Sequence, residues 1–537
     1  MLSLKRVILV SLVVNLVGCY KVLLFFPFPG KSLTILGEGY VRHLVNAGHN
    51  VTYVAPIPVK SSAPNLRQID LSSNFDHFSF GITFLFHKFY NSSNGLKLDI
   101  LKRIADLIGV EIFYEVMHEI AEISLKHEKV QKLLLDTNEE FDVAVVQWLY
   151  TDLYAGFHTV FNCPLIWAST MEPHPMLLRL IDDIPNPAYI PDHRSPIDPL
   201  LTFSQRVAEL WNILTIYRIR CKVRLMFRNM AEFENKVFNE AYGPAFEKRG
   251  LKIPSFDEVR YNGSLMLGNS HVSSGLALRL PQNYIPISGY HIKTEVPPLP
   301  QNLKKIMDAA TDGVIYFSLG SMMKGKTMPQ ELKTGFLETF SELNQVVIWK
   351  LEEKLPNLPK NVHIVEWAPQ QSILAHNNTV LFITHGGLLS TTETLHYGVP
   401  VIGIPLFADQ FINIKRAVTK GFGIHVPLEY DTPTMLKAAI RNILKDPKYR
   451  ERVKELSMIY HDRPVSPGDE LVHWVAHVAK TRGAPHLRSI ALLVPWYQKL
   501  YLDFIALVIV TIIAIVALVK WFLLLMQRNK NAKKKND

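Results

Sequence analysis

Short apolar runs and amphipathic stretches alternate along this chain in two blocks, and that alternation restricts the fold more than any other feature. Residues 21–26 read as a strand ended by Pro27-Phe-Pro-Gly30, residues 35–46 as a helix closed by Gly48, and residues 51–55 as a second strand. A strand, helix, strand order joins parallel strands through a crossover. Residues 141–146 and 164–167 predict later strands of the same sheet, 96–135 a helical region, and the Pro- and Asp-rich stretch 182–199 a loop. The texture breaks at Glu295-Val-Pro-Pro-Leu-Pro300, which reads as a linker, and restarts with strands at 314–319, 346–349, 362–365, 380–383 and 401–404. The expected fold is α/β, with two doubly wound halves at 21–294 and 301–490. Ligands of such sheets bind at the C-terminal ends of the strands, and two facing sheets enclose a cleft.

A chain of 537 residues exceeds what one core holds, so two domains or more are expected. The net charge is +10, but residues 527–537 alone carry +4 through Arg528, Lys530, Lys533, Lys534 and Lys535 against Asp537. The remainder has no basic stripe with interleaved aromatics, which excludes a nucleic-acid binder. Lys5 and Arg6 precede the apolar run 7–17 and the small residues Gly18 and Cys19, the order of a secretory signal peptide ending near residue 20. Residues 504–526 are apolar apart from Thr511 and Lys520, long enough to cross a hydrocarbon core of roughly 30 Å. Lys520 can snorkel, and Trp521 suits an interface.

The basic tail beyond that run predicts a cytosolic C-terminus with the body on the lumenal side. Lys534-Lys535-Asn536-Asp537 resembles a dilysine return signal, so the expected location is the endoplasmic reticulum membrane, single-pass and type I. Asn50, Asn91, Asn262 and Asn377 begin glycosylation sequons. Cys19, Cys163 and Cys221 make no disulfide framework, and a Cys163–Cys221 bridge stays open.

The chemistry concentrates between Trp367 and Gln410. The run 314–319 leads into Gly320-Ser321, where glycine lets the backbone approach a phosphate and the serine hydroxyl can donate to it. The run 380–383 leads into Thr384-His385-Gly386-Gly387 and then a helical stretch at 390–397, whose N-terminal N–H groups suit a diphosphate. Trp367, after a strand and before Pro369, offers a plane for a base. Glu393, one helical turn after Ser390, can accept from ribose hydroxyls, and the Asp409-Gln410 pair can grip vicinal sugar hydroxyls. A base, phosphates and hydroxyls together point to a nucleotide sugar. No Asp-x-Asp pair occurs in the chain, so helix N–H groups and side chains would stabilise the departing diphosphate, and no metal is expected.

Trp367, Pro369, Gln370, His376, Thr384, His385, Gly387, Ser390, Glu393, Gly398, Pro400, Pro405, Asp409 and Gln410, with Asp462-Arg-Pro464 and the 483–488 region, stand in the order and spacing of a family signature. The chain resembles the membrane-bound UDP-glycosyltransferases of animals, of the glucuronosyl- and glucosyltransferase type, and residues 384–393 look closest to invertebrate members. The resemblance implies a glycosyltransferase B fold with two Rossmann-like domains, acceptor-binding and donor-binding, the last helices packing back on the first. It implies detoxifying transfer from a UDP-sugar co-substrate, glucose more than glucuronate, to a small lipophilic acceptor, and oligomers with related transferases. Trp367 and Gln370 would meet uracil and ribose, Glu393 the ribose, Ser321 and His385 the diphosphate, and Asp409 and Gln410 the sugar, with Gly387 and Ser390 also in the donor site.

The family's catalytic pair, a histidine base and an aspartate that orients it, falls here on Leu33 and Gln147. Neither residue can take a proton or hold an imidazole by charge. Three readings follow. The acceptors need no base, being amines or ionised groups; another residue substitutes, from among Lys31, Ser32, Asp152 and His158; or the protein binds donor without turnover, as a partner of active relatives.

Overall fold

A computed structural model describes residues 18–75, 110–183, 186, 201–211, 230–320, 328–406 and 409–536. It forms two compact units, residues 1–488 and 489–537. The first holds two all-parallel sheets. One has seven strands in the order β3-β2-β1-β4-β5-β6-β7, with β1 Lys21–Phe25, β2 Asn50–Ala55, β3 Leu66–Asp70, β4 Val143–Trp148, β5 Leu165–Ser169, β6 Gly263–Gly268 and β7 Tyr284–Pro286. The other has six, ordered β10-β9-β8-β11-β12-β13, with β8 Val314–Ser318, β9 Val346–Lys350, β10 Val362–Val365, β11 Thr379–Thr384, β12 Val401–Gly403 and β13 Gly423–His425. In both sheets the strand order reverses beside the first strand, the switch point at which doubly wound sheets bind ligands.

Strands buried on both faces read as continuous apolar runs, and their period of two sends alternate residues to different cores. Leu23 and Phe25 of β1 pack into one cluster with Trp148 and Phe157, and Val22 and Leu24 into another with Leu36 and Tyr40. Strand β8 divides the same way, Ile315 and Phe317 to one side and Val314 and Tyr316 to the other.

The structure moves several expected boundaries. The first helix, α1, is Lys31–Asn46, four residues longer at its start than the apolar pattern suggests. Gly30 is extended and serves as its N-cap, so Leu33 lies in the first helical turn and not in a loop. The stretch expected to be helical up to residue 135 breaks into Val110–Lys126 and Glu128–Leu135, because His127 turns the chain and its Nδ1 accepts the Lys129 N–H at 3.1 Å. Strands β3, β6, β7 and β13 lie in stretches where no strand was expected. Cys163 is a buried free thiol, while Cys221, Asn91, the signal-like residues 1–17 and most of the 182–199 loop lie outside the described residues.

Four more helices matter for the site: α2 Gln370–Leu374, α3 Leu388–Tyr397, α4 Gln410–Thr419 and α5 Pro467–Lys480. Although α5 follows the second sheet in the chain, its Leu471, Val475 and Val478 are buried in the core of the first, with Leu36, Tyr40 and Leu44 of α1. The crossing is close because residue 468 is glycine: a β-carbon there would stand 2.1 Å from His43 Cε1. The His43 ring is itself engaged, its Nε2 donating to the Tyr290 carbonyl at 2.8 Å beside Arg42 Nη2, also at 2.8 Å.

In the second unit, Trp496–Lys499 is a short helix and Leu502–Asn536 a long one. Its stretch Leu502–Asn529, within which an 18-residue window reaches a mean hydropathy of 3.0, is long and apolar enough to cross a membrane.

Gly468→Ala should lower stability by about 1–3 kcal/mol through overpacking, read as a lower melting temperature. The Gly468→Ala, His43→Ala double variant should lose less than the sum of the single variants, because the clash disappears with the ring.

Candidate functional site

The C-terminal ends of β8, β9, β11 and β12 converge on the turn between β11 and α3. After Thr384 the chain passes through His385 and Gly386 to Gly387, the N-cap of α3. The Thr384 hydroxyl accepts the Gly386 N–H at 3.2 Å, and Asn413 of α4 donates to the Gly386 carbonyl at 2.9 Å. Gly386 has φ +84°, and a β-carbon on it would meet Ile414 at 2.4 Å. The His385 ring sits between two more glycines: β-carbons at Gly320 and Gly387 would stand 2.6 and 2.7 Å from it. Among the described residues no side chain caps α3, so its first-turn N–H groups are free of that competition.

His385 is half-buried with its Nδ1 edge shut off from solvent. Burial, with the Lys350 ammonium adding to it, pulls the ring down to about 4, so at neutral pH it is an uncharged donor–acceptor. Lys350, the last residue of β9, donates from Nζ to the Gly320 carbonyl at 3.0 Å and pairs with Glu352.

Glu393 is only 5% exposed and is the centre of a hydrogen-bonded group. Gln370 Nε2 donates to its Oε2 at 2.6 Å and to Ser390 Oγ at 3.1 Å, and Gln371 Nε2 donates to its Oε1 at 3.1 Å. Tyr316 Oη donates to Gln370 Oε1 at 3.3 Å. Trp367 is 55% exposed, and Lys31 Nζ lies 4.4 Å from its ring centroid, a cation–π contact from α1. Asp409 is the N-cap of α4 and its Oδ2 accepts from Asn413 at 2.9 Å; Gln410 Oε1 accepts the Leu406 N–H at 2.8 Å. The structure thus joins Gln370, Ser390 and Glu393 directly, and links Asp409 through Asn413 to the His385 turn. Ser321 lies outside the described residues.

Leu33 and Gln147 lie just beyond β1 and at the end of β4, neighbouring strands of the first sheet. Leu33 is partly buried among apolar side chains. Gln147 is 1% exposed, and its Nε2 has no hydrogen-bond partner among the described residues. Two of the proposed substitutes are otherwise engaged. Asp152 accepts from Trp148 Nε1 at 2.8 Å and Arg179 Nη2 at 2.6 Å, with Arg260 at 3.4 Å. His158 is buried, its Nε2 lies 3.3 Å from the Val259 carbonyl, and burial pushes it down to about 4. Lys31 is committed to Trp367, and Ser32 is exposed.

Sequence reasoning missed Lys350, Gln371 and two links across the cleft. Lys350 ends a parallel strand, a position that could have marked it. Gln371 Oε1 accepts the Lys293 N–H at 3.2 Å, and Glu172, beyond β5, pairs with Arg416 of α4. No sequence pattern marks contacts so far apart in the chain.

The family model for UDP-glucoronosyl and UDP-glucosyl transferase matches residues 24–536. The chain belongs to this family. Among its relatives, UDP-glycosyltransferase UGT5 of Dactylopius coccus is 33% identical over 507 residues, spanning 93% of this chain and 91% of that one. UDP-glucuronosyltransferase 2B1 of Rattus norvegicus is 30% identical over 359 residues, 65% of this chain and 64% of that one. The solved glycosyltransferase VinC, in complex with dTDP, aligns at a TM-score of 0.54 and 14% identity over 86% of this chain and 100% of that one. CalG4, the calicheamicin glycosyltransferase, aligns at 0.52 and 16% over 86% and 99%. The fold of this UDP-glycosyltransferase is therefore of the glycosyltransferase B type, and its family relations are consistent with an invertebrate member.

Burial holds His158 and His385 at about 4, against roughly 6.5 in an unfolded chain. Between those values the unfolded state binds protons that the folded state refuses, so the stability these groups confer is present above pH 6.5 and lost as the pH falls toward 4. Denaturation of the protein at pH 7 and pH 5 should show a loss on the order of 2 kcal/mol from His158 alone. His158→Asn should make the loss smaller.

Proposed function

We propose that this protein transfers a hexose from a UDP-sugar to a small lipophilic acceptor, with inversion at the anomeric carbon. The observation that carries the proposal is the single hydrogen-bonded group of Gln370, Ser390 and Glu393 on the same sheet edge as the His385 turn. In this reading Trp367 stacks on uracil, Gln370 and Glu393 take the ribose, and Asp409 and Gln410 grip the sugar hydroxyls. His385, Ser321 and the free N–H groups of α3 hold the diphosphate without a metal, and Lys350 adds positive charge nearby. UDP-glucose is the favoured donor and UDP-glucuronate the other.

The acceptor's lone pair attacks the anomeric carbon, the bond from that carbon to the diphosphate oxygen breaks, and its electrons leave with UDP. A neutral alcohol needs its proton removed as it attacks, whereas an amine sheds its proton to solvent afterwards. With Leu33 and Gln147 at the base and orienting positions, amines and already ionised groups are the favoured acceptors. The same two residues favour a second reading, a donor-binding family member that acts as partner or regulator of active transferases.

The apolar helix Leu502–Asn529 anchors the protein in this proposal, with the sheets lumenal and the basic tail cytosolic in the endoplasmic reticulum.

The full-length protein, incubated with each UDP-sugar and a panel of phenols and amines, should form conjugates with amines, and EDTA should leave the rate unchanged. No conjugate from any acceptor, with UDP-sugar binding retained, would leave the partner reading standing. Leu33→His with Gln147→Asp should raise the rate on phenols by about 10²–10⁴-fold, the usual size of general-base catalysis. Asp409→Ala should weaken binding of the UDP-sugar more than binding of UDP, measured by calorimetry.

A further inference from the structure

His291 lies where the first half runs out into the interdomain linker. It is 1% exposed, and neither ring nitrogen has a hydrogen-bond partner among the described residues. Leaving buried polar atoms unpaired costs as much as their lost hydration, so natural cores seldom tolerate two on one ring. Its Nε2 faces the Glu393 carboxylate, with Oε1 at 3.6 Å. That separation is about half an ångström beyond a hydrogen bond.

The carboxylate is not idle: one amide occupies each oxygen, Gln370 on Oε2 and Gln371 on Oε1. A carboxylate offers about four lone-pair sites, so room remains for a ribose hydroxyl and for one more donor.

The backbone of His291 is fixed to α1 of the first half. The preceding carbonyl, Tyr290 O, receives both Arg42 and His43 of α1, and the Tyr290 ring packs on Tyr40. Gly39 permits this approach, since a β-carbon on it would stand 2.8 Å from the Tyr290 ring and 3.3 Å from His291 Cα. Two residues on, the Lys293 N–H reaches Gln371, so the linker touches the Glu393 group twice.

We propose that His291 is the positioning residue for Glu393: its Nε2–H donates to Oε1 in the donor-bound protein and holds the carboxylate plane toward the ribose hydroxyls. The proposal rests on the assignment of Glu393 to ribose given above. It adds that the donor's ribose is read by a carboxylate whose third support comes from the acceptor half. Donor affinity is then tied to the relative register of the two sheets through α1, Tyr290 and His291.

The test compares binding of UDP and 2′-deoxy-UDP to the full-length protein by calorimetry. The unaltered protein should prefer UDP. His291→Phe keeps the ring volume and removes both nitrogens; it should weaken UDP by about tenfold, the size of one hydrogen bond to an ionised group, and leave 2′-deoxy-UDP within about twofold. His291→Gln, which restores a donor, should recover most of the preference. Should His291→Phe not fold, His291→Ala is measured in the same way. Equal weakening of both nucleotides, or an unchanged preference, overturns the proposal. Glu393→Gln separates this from the underlying assignment. If it abolishes the preference while His291→Phe does not, the ribose assignment stands and the role of His291 falls. If Glu393→Gln leaves the preference intact, the assignment fails and takes the proposal with it.

Discussion

Three glycines crowd the turn after β11 with no space for a β-carbon, and the second half is arranged around that contact. Gly386 admits Ile414 of α4, while Gly320 and Gly387 admit the two sides of the His385 ring. The approach of α4 brings Asn413 to the Gly386 carbonyl and to Asp409, which fixes the start of the helix bearing Asp409 and Gln410. The same turn aims the uncapped first turn of α3 at the sheet edge and carries Glu393 on the buried side of that helix. A larger residue at any of the three positions would have to move a ring or a helix, because interiors packed at crystal density absorb little volume. The shape of the site thus depends on glycine packing against Ile414 and against the His385 ring itself.

Helix α1 has an unusual place in this arrangement. It follows the first strand of the first half, yet its first residue, Lys31, lies over Trp367 of the second. Near its other end, Arg42 and His43 hold the carbonyl that positions His291 against Glu393. The helix α5, returning from the second sheet, packs on the same helix through Gly468. One helix therefore touches both Trp367 and the segment that ties the halves together. The Glu172–Arg416 pair closes a further contact across the cleft. Partly buried charge pairs of this kind favour one geometry over its neighbours more than they add net stability.

Much of this was legible in the sequence, for a physical reason. Strands buried on both faces must be apolar throughout, so β1, β4, β8 and β11 announce themselves, as does the strand, helix, strand order that makes them parallel. Trp367, Gln370, His385, Ser390, Glu393, Asp409 and Gln410 stand within 44 residues because one sheet edge supplies them all. What was not legible is of two kinds. Edge strands such as β7 and β13 have three residues each, too short for a pattern to rise above the flanking loops. Contacts such as His291 with Glu393 or Glu172 with Arg416 join residues about 100 and 244 positions apart, and no local period records them. The early start of α1 was hidden because Lys31-Ser32 carries no cap signal, the cap being the backbone of Gly30.

The two halves differ in how tightly their polar groups are committed, and this bears on the reading of Leu33 and Gln147. In the donor half nearly every buried polar side chain at the sheet edge is already engaged: Gln370, Gln371, Ser390, Glu393 and Asn413 hold one another or the backbone. Such a network is costly to leave half-satisfied, so a substitution within it is resisted from several sides at once. At the end of β4 the situation is the reverse. Gln147 keeps an amide nitrogen buried without a partner among the described residues, and Leu33, in the first turn of α1, offers only apolar surface. The mutually engaged polar groups of the second half and the Gln147 amide, unpaired among the described residues, are consistent with the proposal above, in which the acceptor brings its own reactive lone pair.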